Sequence, residues 1–437
     1  MDVIRGLSSV EWGATQGDME PLRRLLGDGA QANGAVDDLQ SICSPSVRPA
    51  IPLAPFNRTA PLRILSRSSH HATLLPPPPS QRLMKMVGDW GRSMLPPEEV
   101  TVQGRRFQVQ QQLGEGGFSY VFLAREVPDS RGVDVALKRM LIHEREQEDD
   151  ALREMETMRR LDHPNLLPLI LGEIEDEPHP PSTSYVIASP ARTRPQGGAG
   201  GPRRCHMVFP AYPEGTALDR CVARPVAKAF TPTQLLGIGV QLCRGLEHVH
   251  ALGIAHYDVK PGNVLLESVM DDGAERVGGF RAVLMDFGSA RIRTRAVRTR
   301  QEALRVQELA ERESTAPFRA PELWDCPSDA VVDGAPCDVW SLGCALFSLT
   351  AGGRSPFESA TGETGGSLAL AVLSGRYRWG ESAERAYGTE TRAAIDGLLS
   401  REASKRPDAV AARLALERAM TSASAERGAT SSTVARE

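Results

Sequence analysis

The sequence predicts an α+β fold over residues 103–420, and three observations carry that expectation. From Phe107 to Lys138 apolar and polar residues alternate with the period of strands, interrupted by a glycine-rich turn at Gly114–Gly117. Residues 233–252 place Leu235, Ile238, Leu242, Leu246 and Val249 on one helical face, and a very apolar helix begins at Cys337-Asp338-Val339-Trp340. After the first of these helices comes a polar loop, His256-Tyr257-Asp258-Val259-Lys260-Pro261-Gly262-Asn263, followed by the apolar Val264-Leu265-Leu266.

At 437 residues the chain is long enough for a sizeable core plus appendages. Its 41% hydrophobic and 24% charged residues sit in the globular range. A formal net charge of −4 argues against a general nucleic-acid binder, whose affinity comes from a basic surface. No apolar run approaches the roughly 18 residues of a membrane span. Seven scattered cysteines form no C-x-x-C pair, so neither a zinc site nor a disulfide framework is indicated, and a reducing cytoplasmic compartment is expected.

The flanks read differently. Within residues 1–35, Ala14, Leu22, Leu25 and Leu26 share a helical face ended by Gly27 and Gly29, similar to the helical part of one ankyrin repeat. A single unit cannot bury its face on neighbours, so an isolated amphipathic helix or a remnant packed on the main domain is the favoured reading. Residues 36–102, with Pro76-Pro77-Pro78-Pro79, read as a disordered linker, 176–204 as a low-complexity insert, and 421–437 as a disordered tail.

Four strings carry chemistry. In Leu113-Gly114-Glu115-Gly116-Gly117-Phe118-Ser119-Tyr120-Val121, glycines let a hairpin backbone approach until its amides meet phosphate oxygens. The strand Val133-Asp134-Val135-Ala136-Leu137-Lys138 ends on a lysine, which is costly inside a sheet unless an anion pairs with it. Phosphoryl transfer to a hydroxyl needs a carboxylate beside the incoming oxygen, a cation on the transferring phosphate, and a neutral oxygen ligand for Mg²⁺. Asp258, Lys260 and Asn263 supply these. Finally, Asp286 in Val283-Leu284-Met285-Asp286-Phe287-Gly288 ends an apolar strand, which suits a metal ligand at a hinge. Each string alone has a bland reading as a polar loop or an ordinary turn.

In this order and spacing, and followed by Ala320-Pro321-Glu322, the strings resemble those of a eukaryotic protein kinase across residues 103–420. The glycine-rich string, Ala136-Leu137-Lys138-Arg139, Cys243-Arg244-Gly245-Leu246-Glu247 and Val283–Asp286 resemble the Numb-associated kinase family, in its small myristoylated and palmitoylated serine/threonine branch. The long, helix-bearing segment between Asp286 and Glu322 is similar to that family's extra activation-segment helix.

The resemblance implies a bilobal fold, with an N-lobe at 103–209 and a C-lobe at 213–420. It also implies ATP and Mg²⁺, and γ-phosphoryl transfer to serine or threonine of protein substrates, with autophosphorylation. ATP contacts would come from Leu113, Gly114, Glu115, Gly116, Gly117, Phe118, Ser119, Val121 and Ala136. Phe209, Pro210, Ala211 and Tyr212 would form the hinge, and Leu265 would lie beneath the base. Lys138, set by Glu154 from a helix at 146–161 with Leu152, Met155, Met158 and Leu161 on its apolar face, would position the α/β-phosphates. Glu154 is chosen over Glu148 by its distance before His163-Pro164-Asn165. Asn263 and Asp286 would hold two Mg²⁺, Asp258 would accept the hydroxyl proton, and Lys260 would stabilise the γ-phosphoryl charge. Thr315 would bond Asp258 and Lys260, and Ser314, Thr315 and Thr299 are the open candidates for autophosphorylation. Glu322 would pair with Arg406, and Asp338 would bond backbone amides of the catalytic loop.

Three departures modify these expectations. Asp2 follows Met1, so N-myristoylation is not expected at this start; peripheral membrane contact rests on the resemblance alone, as does a Golgi or endomembrane association. Tyr257 replaces the arginine that senses activation-loop phosphate, so activity independent of that phosphate is expected. The ankyrin-like segment has no counterpart in that family. The rival readings are a pseudokinase scaffold, whose usual sign is loss of Lys, Asp or Asn from the set, and a docking protein working through residues 1–35. A monomer is expected.

Overall fold

The computed structural model of the protein describes residues 98–116, 119–127, 133–176, 203–268, 279–358, 361 and 366–434. The ankyrin-like fragment, most of the linker and insert, and Gly117 and Phe118 lie outside the described residues.

Six strands form the first lobe: β1 (Glu99–Val102), β2 (Arg105–Glu115), β3 (Ser119–Val127), β4 (Asp134–Ile142), β5 (Leu171–Asp176) and β6 (Arg203–Pro210). They pair in the order β1-β2-β3-β4-β6-β5, with every neighbouring pair antiparallel. Alternation sorts the sheet into two faces. Val100, Val102, Phe107, Ala124, Val135, Leu137 and Val208 pack on one face as a small core of their own. In register on the other face stand Val121 opposite Lys138, Lys138 opposite Met207, and Ala136 opposite Phe209.

Helix α1 (Arg145–Arg159) packs under that second face through Ala151, Met155 and Met158. Gly172 on β5 lies so close that a Cβ there would meet the Met155 sulfur at 2.8 Å. Its start is fixed by a reciprocal cap between Glu144 and Gln147.

The second lobe is mainly helical. After α2 (Ala217–Ala223), helix α3 (Pro232–Ala251) begins at Thr231, whose hydroxyl accepts the Gln234 N–H, with Pro232 at the first helical position. The short β7 (Ile254–Ala255) leads into the catalytic loop. Next come the hairpin β8 (Val264–Ser268) and β9 (Phe280–Leu284), then β10 (Arg291–Ile292) and β11 (Thr294–Val297). Helix α4 (Arg300–Glu313) is capped by Thr299. Strand β12 (Ala330–Asp333) precedes helix α5 (Gly334–Thr350), almost wholly buried, where Trp340 stacks on Phe357 with ring centroids 5.2 Å apart. Helix α6 (Ala409–Val434) lies along α3, with Leu416 against Gly239.

The structure corrects several expectations. The linker does not extend to residue 102, because Glu99–Val102 is a strand that buries Val100 and Val102. The tail does not lose structure at 421, because α6 continues to Val434. The insert is narrower than 176–204: Asp176 ends β5 and Arg203 begins β6. The α1 helix ends at Arg159, and Leu152, expected on its apolar face, is exposed. Among the described residues, six cysteines are free and buried, and no helix is long and apolar enough to cross a membrane.

Candidate active site

The strand register that turns Lys138 to the cleft-side face sets it opposite α1, where Glu154 points back at it. Lys138 Nζ lies 2.7 and 2.9 Å from the two Glu154 carboxylate oxygens and 3.5 Å from Asp286 Oδ1. Burial by itself would lower the Lys138 pKa, but the charges of Glu154 and Asp286 outweigh it and hold the ammonium above its ordinary value. Burial pushes the Glu154 carboxyl up against the opposing pull of Lys138. Asp286 is drawn below the usual carboxylate range, chiefly by the Lys138 charge. Of the two sequence candidates, Glu154 therefore makes the pair, while Glu148 bonds Arg203.

The catalytic loop is held from below by one carboxylate. Asp338, fully buried on α5, accepts the backbone N–H of His256 at 2.8 Å and of Tyr257 at 2.7 Å, and lies 2.9 Å from His250 Nε2. Tyr257 has φ +64°, a left-handed backbone that these bonds sustain in a non-glycine residue. Its hydroxyl donates to the Arg293 carbonyl at 3.3 Å, and burial pushes its pKa up, so it stays a neutral donor.

Above this base the reactive groups converge. Lys260 Nζ donates to Asp258 Oδ2 at 2.6 Å and to Thr315 Oγ1 at 2.7 Å. The Thr315 N–H donates to Asp258 Oδ1 at 2.9 Å, so Thr315 is tied to both the Asp258 and the Lys260 side chains. Asn263 Nδ2 donates to the Asp258 carbonyl at 2.9 Å, which leaves the Asn263 amide oxygen for a cation. His256 joins this loop to the next one: its Nε2 is 3.1 Å from the Met285 carbonyl oxygen, and its ring meets that of buried Phe287 edge-on, with centroids 4.8 Å apart. The Met285 N–H donates to the Asn263 carbonyl at 2.9 Å, so Asn263 and Asp286 are set by one backbone bond.

Among the described residues no three His, Cys, Asp or Glu side chains cluster as a metal cage. Mg²⁺ takes one or two protein oxygens together with phosphates. The donor set suits it: a half-exposed Asp286 carboxylate and the Asn263 amide oxygen.

Other predicted residues fall where expected or are reassigned. Val121, Ala136 and Phe209 share the Lys138 face of the sheet. Pro210 ends β6, Ala211 and Tyr212 lead into the second lobe, and Leu265 lies on β8, bridged to Thr216. Leu113, Gly114 and Glu115 close β2, and the Gly116 N–H donates to the Ser119 carbonyl at 2.7 Å across the turn. Glu322 and Arg406 form a two-pronged pair at 2.7 and 2.8 Å. Ser314 is buried; its hydroxyl donates to the Ala310 carbonyl and accepts from Arg319 Nε, which makes it a packing residue rather than an accessible acceptor. The clasp by His256 and an ion-pair cluster around Glu313 were not anticipated. The four-residue spacing of Glu146, Asp150 and Glu154 marks one face of α1, the only local signal the sequence holds for the second.

The family model for the protein kinase domain matches residues 107–414. The chain is 34% identical over 274 residues to serine/threonine-protein kinase 16 of Rattus norvegicus, covering 62% of this chain and 78% of that protein. It is 35% identical to the Homo sapiens protein of the same name, with the same coverage. A probable serine/threonine-protein kinase of Dictyostelium discoideum is 28% identical over 335 residues, covering 63% of this chain and 83% of its own. With the Lys138–Glu154 pair, Asp258 on its loop and the Asp286-Phe287-Gly288 turn in place, the chain belongs to the protein kinase family.

Proposed function

We propose that the protein transfers the γ-phosphoryl group of ATP to serine and threonine hydroxyls of proteins, itself included, and that it does so without phosphate on its activation segment. The observation that carries this reading is the assembled state of the site. Lys138 is on Glu154, and Asp258 is bonded to Lys260 and to the backbone of Thr315, all through contacts made by the chain's own residues. Tyr257 supports the second half: a neutral phenol committed to the Arg293 carbonyl cannot serve as a phosphate-binding cation.

When bound, MgATP supplies the phosphoryl group and the divalent charge that neutralises its oxygens. Lys138 holds phosphate oxygens, kept in place by the Glu154 carboxylate behind it. Asn263 and Asp286 provide the metal-facing oxygens. Asp258 orients the acceptor hydroxyl and takes its proton, while Lys260 neutralises charge on the transferring group. Because these parts are already in place, catalysis is mainly positioning and electrostatics.

We further infer a position beside the Numb-associated kinases, supported by helix α4 within the activation segment. We also infer a reducing cytoplasmic setting, supported by the six cysteines among the described residues, which are buried and unpaired. The test is autophosphorylation, and phosphorylation of a generic serine/threonine substrate, by phosphatase-treated protein, beside Lys138→Met and Asp286→Ala. Transfer by the wild type alone is expected. Folded wild type that binds MgATP yet transfers no more than the two variants would instead indicate a scaffold.

A further inference from the structure

Helix α1 carries three carboxylates one turn apart, and each meets a cation from another element. Glu154 meets Lys138 at 2.7 Å, Asp150 lies 3.8 Å from Arg291, and Glu146 lies 2.6 Å from Arg312. Lys138 belongs to the nucleotide lobe, whereas Arg291 and Arg312 stand at the two ends of the activation segment. Both arginines converge on one carboxylate oxygen of Glu313: Arg291 Nη2 bonds it, and Arg312 Nη2 is 3.1 Å away. Arg291 Nη1 also donates to the carbonyls of Gly288 at 2.9 Å and Ala290 at 2.8 Å, beside the Asp286 turn. Ser289 Oγ closes the loop by donating to the Glu313 carbonyl at 2.5 Å. Arg291 and Glu313 are largely buried, at 14% and 13% exposure, so water screens them little.

We propose that Glu313 is a positioning residue: its carboxylate is the permanent anion that clasps the two ends of the activation segment and, through Arg291 and Arg312, docks them on α1 so that Glu154 stays against Lys138. A phosphate monoester brings about two charges and several acceptor oxygens to such arginines. Glu313 brings one charge, fixed in the chain and always present. Removing it leaves two guanidinium groups facing each other, one of them nearly buried, and takes away the side-chain link that runs through Arg291 between Gly288 and helix α4, leaving only the Ser289 bond to the Glu313 carbonyl. The proposal rests on the reading that activity needs no activation-segment phosphate, and it names the group that makes this so.

The test uses the full chain, dephosphorylated and assayed at once. Wild type is expected to be active, and Glu313→Gln to lose kcat by about tenfold or more at a temperature where it is fully folded, beyond what its lowered melting temperature accounts for. Glu313→Ala is expected to regain activity with added acetate, compared with chloride at the same ionic strength. Arg312→Met, at an exposed position, is the control that folds regardless; it should lose kcat several-fold. Full kcat in Glu313→Gln or in Arg312→Met overturns the proposal and leaves the functional reading standing. So does a loss that tracks a fallen melting temperature and that acetate does not restore, since Glu313 would then be structural only. Wild type that is silent until its activation segment is phosphorylated overturns the functional reading itself.

Discussion

Asp338 Oδ1 accepts the Tyr257 N–H at 2.7 Å, and this bond fixes the one residue of the catalytic loop with a positive φ. The same carboxylate takes the His256 N–H and faces His250, so three donors depend on one fully buried side chain. Leaving buried donors unmet costs about 1–3 kcal/mol each. Asp338→Ala should therefore lose about 3 kcal/mol or more of stability by denaturant unfolding. It should also lose most of its activity under conditions where it remains folded. Asp338→Asn, which turns an amide donor toward donors, should fare little better.

Gly334 lies at the start of α5 directly beneath Tyr257. A Cβ there would come within 2.4 Å of the Tyr257 hydroxyl and 2.5 Å of the Ala255 Cβ. Gly334→Ala must push the catalytic loop upward, at about 1–3 kcal/mol for overpacking. The expected signature is a fall in kcat larger than the fall in melting temperature suggests, because the displaced residues adjoin Asp258. Gly334→Ala with wild-type kcat would show that the loop yields without moving Asp258.

Arg406 is fully buried and holds Glu322 with two bonds, while its guanidinium lies 5.0 Å from the centre of the Trp340 ring. Deleting one partner strands the other charge, at about 3–5 kcal/mol. Arg406→Ala and Glu322→Ala should each be destabilised on that scale in urea. The double variant should fall well short of the sum.

His206 offers a pH handle away from the cleft. Its Nε2 accepts from Arg139 Nε at 3.3 Å and its Nδ1 faces Glu175 at 3.3 Å, a pattern that requires a neutral ring with the proton on Nδ1. Burial first, then Arg139 and Arg204, lower its pKa to about 4. An unfolded histidine titrates near ~6.5. Between these values the unfolded chain binds the extra proton, so stability falls as pH drops below the unfolded value, and the loss is complete below the folded one. Between pH 7.5 and 5 the wild type should lose about 2 kcal/mol more than His206→Gln in paired urea titrations. Equal losses would sink this assignment.

The residues that the structure brings together in the cleft were legible because chemistry fixes both residue type and spacing. Lys138 could be read from the cost of an interior lysine, and Asp258, Lys260, Asn263 and Asp286 from what phosphoryl transfer requires. The fold was legible where periodicity was long, as in α3. It was less so where local composition misled. Glu99–Val102 is four residues next to Pro96-Pro97, and it reads as linker until pairing with β2 supplies its hydrogen bonds. The Ser/Thr-rich end of α6 has no apolar period to mark it as helix. The Glu313 cluster joins residues more than 140 positions apart, from Glu146 on α1 to Arg312 and Glu313, so only the folded chain brings it together.

Strand β1 bears on where this domain can be cut. Its pairing gives β2 a neighbour on its outer side, and Val100 and Val102 fill the small core beneath. A chain shortened to begin at Phe107, where the family model begins, would leave β2 as a bare margin with an apolar hollow beside it. Such a margin recruits strands from other molecules. Expression from Glu98 should give dispersed protein, whereas expression from Phe107 should give clumping through the nucleotide lobe, with light scattering as the readout.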